Sequence, residues 1–387
     1  MNRIIALLFF VSLGSPVWAY QELRLPFYSE TVRIRYDKEL SEVPLPRIEE
    51  RALRQFFLRA KAQPPNTLSH SLRKARRALR LNDWLYYELM QKALEELLPG
   101  DNPNSHVLWS WVLLSQAGFD THLAYLEGRV FLYAYTQDKV YEAPLIEDDG
   151  RNYVNLTDIK SGRQKQRALY LLNLPEKGRG HAFSFQLKEL PLLRSEIEEQ
   201  PLRFRYKSEV HEFTVSVDRT VAQYMDTYPV LREDYYLETP LSDTLARTLY
   251  PYLSAQLAGK NEWQATEFLA AFTRSAFQYK EDKVHFGCSK PMVAEELFLY
   301  PYSDCEDRTA LFFNLVNELL GLPMLLIAYP DHLTIAVALP HRKGNYIRHE
   351  GRNYYFCDPT GPVGSHRVGV VPKGYENTAY KILKSYE

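Results

Sequence analysis

Three side chains in the C-terminal third of this 387-residue sequence, Cys305, His332 and Asp358, each fall at the boundary of a different predicted element. A thiol, an imidazole and a carboxylate can share one reaction. The thiol attacks a carbonyl carbon, the imidazole takes its proton and returns it to the leaving group, and the carboxylate holds the second ring N–H. Gln278, upstream in Phe277-Gln278-Tyr279, is a further candidate. Its amide could join the Cys305 backbone N–H in stabilising an oxyanion, although an exposed glutamine at a helix end has the same sequence signature.

These residues must be held by a helix and three strands. Ser303 and Asp304 are N-cap types, and Leu311, Phe312, Leu315, Val316, Leu319 and Leu320 recur at helical spacing up to Gly321, with Pro323 beyond. Cys305 therefore opens a helix. There the unpaired N–H groups favour the thiolate, so its pKa is expected below about 8.5, with His332 held charged by Asp358. Met324–Ala328 reads as a buried strand, Tyr329-Pro330-Asp331 as a turn, and His332 as the start of a second strand running to Leu339. Tyr354–Asp358 is a third strand. If the last two pair antiparallel, His332 and Asp358 meet at one edge while residues 341–353 loop out at the other. Cys357 alternates to the face opposite Asp358 and is expected in the core. A Cys288–Cys357 disulfide would leave Cys305 free, and the sequence leaves that pairing open.

The stretch Ser-Asp-Cys-Glu-Asp-Arg (303–308), with Tyr-Pro-Asp-His (329–332) and Asp-Pro-Thr (358–360), resembles the transglutaminase-like superfamily, in particular its exported bacterial members. The resemblance covers about residues 240–387. It implies a papain-type fold and thiol-dependent acyl transfer on amides through Cys305, His332 and Asp358, as peptide or isopeptide hydrolysis or as transamidation. It implies a protein or peptide substrate and no metal or other cofactor. The superfamily also contains members that have lost activity, which leaves open an interaction protein with an occluded triad. Hydrolysis is preferred because water is the abundant acceptor outside a cell.

Export is read from the N-terminus. Arg3, the apolar run Ile4–Val11 and Val17-Trp18-Ala19 resemble a signal peptide cleaved after Ala19, with an uncleaved anchor as the alternative. No other run reaches membrane length, so no span is expected after cleavage. A net charge of −1 gives no field for nucleic acid. Three cysteines are too few for a disulfide-stapled scaffold, so a large apolar core must hold the chain together. The 28 tyrosines point to β-structure and large apolar contacts.

The expected class is α+β, in five parts: a signal peptide (1–19), an N-terminal segment (20–81), a degenerate copy of the catalytic unit (82–160), a β-rich domain (161–238) and the catalytic domain (239–387). The copy is inferred from four landmarks in order. Asn82-Asp-Trp84 echoes Asn261-Glu-Trp263, Gly118 echoes Gly321, Tyr125 echoes Tyr329, and Gly150-Arg-Asn-Tyr153 repeats Gly351-Arg-Asn-Tyr354. Two unrelated α+β segments are the alternative. Counting along the chain sets Asn102, Gly128 and Thr157 where Cys305, His332 and Asp358 stand, and none of these can serve in a thiol triad. The β-rich middle is read from the alternation of 181–187 and from a hairpin, 202–206 with 213–217.

Overall fold

The computed structural model describes residues 20–37, 45–62, 67–98, 100, 102–160, 168–172, 180–361 and 367–387. The signal-peptide reading lies outside them. The protein is α+β. A hairpin, β1 (Tyr20–Phe27) and β2 (Glu30–Asp37), is followed by helices α1 (Glu50–Ala62), α2 (Thr67–Ala78), α3 (Asp83–Leu97) and α4 (Pro103–Gln116). A first sheet follows, built from β3 (Thr121–Leu126), β4 (Arg129–Tyr135), β5 (Leu145–Asp148), β6 (Arg151–Asn155) and β7 (Tyr170–Leu171). Next come the hairpin β8 (Ile197–Tyr206) and β9 (Glu209–Asp218) and helices α5 (Arg219–Met225), α6 (Glu233–Glu238), α7 (Asp243–Leu257) and α8 (Glu262–Ser275). A short parallel pair, β10 (Gln278–Tyr279) and β11 (Tyr302–Ser303), brackets α9 (Asp282–His285). Helix α10 (Cys305–Leu320) leads into the second sheet, β12 (Met324–Ala328), β13 (Leu333–Ala338), β14 (Tyr346–His349), β15 (Arg352–Cys357) and β16 (Lys381–Tyr386).

The two sheets have the same strand order. The second runs β14-β15-β13-β12-β16 and the first β5-β6-β4-β3-β7, antiparallel throughout. Two of the four landmark pairs do the same work in both, whereas Tyr125 lies within β3 and Tyr329 just after β12. Asn82 and Asn261 are the N-caps of α3 and α8. Asp149-Gly150 and Glu350-Gly351 make two-residue hairpin turns with both φ angles positive, a geometry that glycine reaches without a Cβ clash.

Helix α10 positions the second sheet. Asp304 caps it in a reciprocal box with Asp307, and Gly321 ends it in the left-handed region at φ 59°. Leu311, Phe312, Leu315 and Val316 are buried against Leu326, Ile335 and Val337 of the sheet and Phe268 and Phe272 of α8. Each such side chain contributes about 1.5–3 kcal/mol by leaving water.

Two expectations are corrected. The described residues of 161–238 do not form a β-rich domain with its own core. Positions 181–187 alternate, but Phe183, Phe185 and Leu187 pack into the core of the N-terminal half, with a single bridge from His181 to Phe119 in place of a ladder. The β8–β9 hairpin instead buries Leu202, Phe204, Val215 and Val217 in the core of the C-terminal half, and residues 219–238 carry α5 and α6. The second correction concerns 341–353. This stretch does not simply loop out, because Tyr346–His349 pairs with β15 as the edge strand β14. Among the described residues no helix is long and apolar enough to cross a membrane.

Candidate active site

Strands β13 and β15 pair antiparallel, with Ile335 opposite Cys357. His332, just before β13, and Asp358, just after β15, therefore share one sheet edge. His332 Nε2 lies 3.3 Å from Asp358 Oδ1. The same carboxylate oxygen accepts from Thr360 N–H at 3.1 Å and Thr360 Oγ1 at 2.7 Å, and Arg274 Nη2 donates to the Asp358 carbonyl. Cys305 is the first residue of α10, and the backbone N–H of Leu333, the residue after His332, acts to stabilise its thiolate. Thr309 Oγ1 donates to Leu333 O at 3.3 Å, fixing the helix start against the strand start. Nε2 also lies 3.4 Å from Thr360 Oγ1, so Nδ1 is the His332 nitrogen turned away from this pair.

The electrostatics correct one expectation. The Cys305 thiol is not depressed: burial pushes it up, and the Asp304, Glu306 and Asp307 charges push the same way, against the Leu333 N–H. The helix start favours a thiolate, but an acidic first turn around a half-buried sulfur outweighs it. Burial also raises Asp358, but hydrogen bonds from His332 and Thr360 outweigh it and hold the carboxyl below the usual range. Burial and repulsion from Asp304 lift Glu306 to about 7. Asp282, Asp304 and Asp307 each bring a carboxylate oxygen within 4.8 Å of the others. They are the group among the described residues whose spacing could admit a cation. Each already accepts a backbone N–H, from Lys290, Glu306 and Met292 respectively.

His332, Asp358 and Gln278 line one cleft of about 670 Å³. Gln278 is exposed and sits in β10, opposite Tyr302 of the strand that leads into Cys305. Arg308 locks this approach, donating from Nε to Ser303 Oγ at 3.1 Å and from Nη2 to Phe277 O at 2.6 Å. All three cysteines are free: Cys288 is exposed and Cys357 buried, so the two are not paired. Sequence reasoning did not single out Arg274 or Tyr375, and it named Arg308 and Thr360 only within longer stretches. Arg274 was visible as a charge on the apolar α8, and Thr360 in Asp-Pro-Thr. Tyr375 gave no periodic signal, yet its ring stacks on His332 at 5.1 Å and its hydroxyl donates to Asp331 at 2.8 Å.

The matching edge of the first sheet lacks this chemistry. Helix α4 begins with Pro103, so the structural counterpart of Cys305 is one residue on from Asn102, which is the cap. Strands β3 and β4 are joined by the tight turn Glu127-Gly128, where β12 and β13 are joined by Tyr329–His332. The histidine loop is missing rather than mutated. Thr157 Oγ1 accepts from Leu132 N at 2.8 Å. Set against known proteins, the chain matches no family model, no curated protein and no solved structure.

Proposed function

We propose that the chain is an exported, transglutaminase-like thiol acyltransferase of papain type that hydrolyses a peptide or isopeptide amide. The observation that carries this is the His332–Asp358 pair at 3.3 Å, with Cys305 opening the helix whose Thr309 Oγ1 donates to Leu333 O at the start of the strand that follows His332. In the first step Cys305 Sγ bonds to the amide carbonyl carbon and its proton passes to His332 Nδ1. The C–N bond then breaks, the amine leaves with that proton, and a thioester remains. Water attacks the thioester, His332 takes its proton, and the acid departs as Cys305 is reprotonated. Gln278 is the proposed oxyanion donor. Residues 82–160, which share the strand order without the histidine loop, are proposed as a degenerate copy kept for structure or binding. The export reading rests on residues 1–19.

Transamidation differs only in an amine replacing water. An interaction protein with an occluded triad is favoured by one observation, the burial and raised pKa of Cys305. The test is turnover of a panel of N-acyl peptide amides by the full chain and by Cys305→Ala. Loss of several powers of ten in rate with folding intact is expected; unchanged turnover would overturn the assignment.

A further inference from the structure

The His332–Asp358 pair does not account for the charge of the cleft it lines. Among the described residues its wall carries three cations, Arg274, Arg308 and Lys373, against one carboxylate, Asp358, already paired with His332. Arg308 is committed to Ser303 and Phe277. Arg274 is not. It is 3% exposed, it spends Nη2 on the Asp358 carbonyl, and its Nε and Nη1 have no hydrogen-bond partner among the described residues. A guanidinium keeps its proton even when buried, so these are charged donors left unmade. Unmade donors of a buried charge are costly, and such a group calls for a partner from outside the chain, whether a water, an ion or a ligand. Lys373 is exposed beside Tyr375, placing a further cation at the mouth.

We propose that this cleft selects acyl donors carrying a free carboxylate near the scissile amide, with Arg274 as the buried anchor and Lys373 as the charge that draws the substrate in. The inference rests on the thiol-acyltransferase reading and adds the substrate class. A carboxylate is the matching chemistry because a planar anion accepts two donors, and such bonds are about twice as strong as neutral ones. Its source is either a peptide C-terminus or an acidic side chain.

The experiment is calorimetric titration of the full-length Cys305→Ala chain, which cannot turn over. Three probes separate the sources: acetyl-Ala-Ala with a free carboxylate, its C-terminal amide, and acetyl-Ala-Glu amide. One of the two acids is expected to bind at least ~10-fold tighter than the neutral amide. The preference should vanish in Arg274→Gln, persist in part in Arg274→Lys, and weaken with added salt. Lys373→Ala, at an exposed site, should reduce it a few-fold without risk to folding. Equal binding of acids and amide, or no binding of any probe, overturns the proposal, as does tighter binding of inorganic phosphate than of either acid. A protein that cleaves neutral amides through Cys305 but shows no acid preference keeps the function and loses this inference. Acid binding without Cys305-dependent turnover does the reverse.

Discussion

At Cys305 two influences oppose each other. The helix start and the Leu333 N–H favour the thiolate, while burial, the capping carboxylate of Asp304 and the two first-turn carboxylates favour the thiol, and the second group wins. In the proposed reaction the resting thiol is then neutral and gives up its proton at the moment of attack. The consequence is measurable by alkylation of the folded protein. Cys305 should react with a midpoint above the ordinary thiol value of about 8.5, and near neutral pH more slowly than the exposed Cys288. A midpoint well below 8 would contradict this balance. The places of Cys305, His332 and Asp358 were legible because each stands at the end of an element, where helix caps and strand breaks are readable. The thiol's state was not. Asp304, Glu306 and Asp307 were in plain view, but burial decides whether a first-turn acid stabilises a helix or repels a neighbouring sulfur.

Helix α10 shows the same repulsion as a stability effect. Glu306 is held protonated to about 7 by burial and by Asp304, Glu233 and Asp282. Its folded pKa lies above the unfolded one. The stability it contributes is present below about pH 4.5 and is lost as pH rises through about 7. Glu306→Gln should therefore stabilise the fold by about 1–3 kcal/mol near pH 8 and by little near pH 4, read by urea unfolding at the two pH values. Equal stabilisation at both would show that charge is not the cause. At this scale α10, β12, β13 and β15 were readable from capping residues and apolar runs. Strand β14 was not, because Tyr346–His349 offers only four residues of alternation. The stretch 181–187 misled for a physical reason: a period of two reports which side chains are buried, and Phe183 and Phe185 are buried by packing on helices, not by joining a ladder.

The whole molecule sets two five-stranded sheets of one strand order on separate cores, with the β8–β9 hairpin joined to the second. The landmarks that suggested a repeat are its capping and turning residues, Asn82 with Asn261 and Gly150 with Gly351, whose roles are dictated by backbone geometry. The division of the middle segment between two cores depends on contacts distant in sequence, which no local pattern encodes. Function requires α8, β10, α10, β13 and β15 to converge at one edge, and the most direct test asks whether they deliver a covalent intermediate. The full chain, mixed with excess activated peptide ester, should show a burst of about one acyl group per molecule, mapped by mass spectrometry to Cys305 and abolished in His332→Ala. Acylation confined to the exposed Cys288, or no burst in the wild-type chain, would contradict the account.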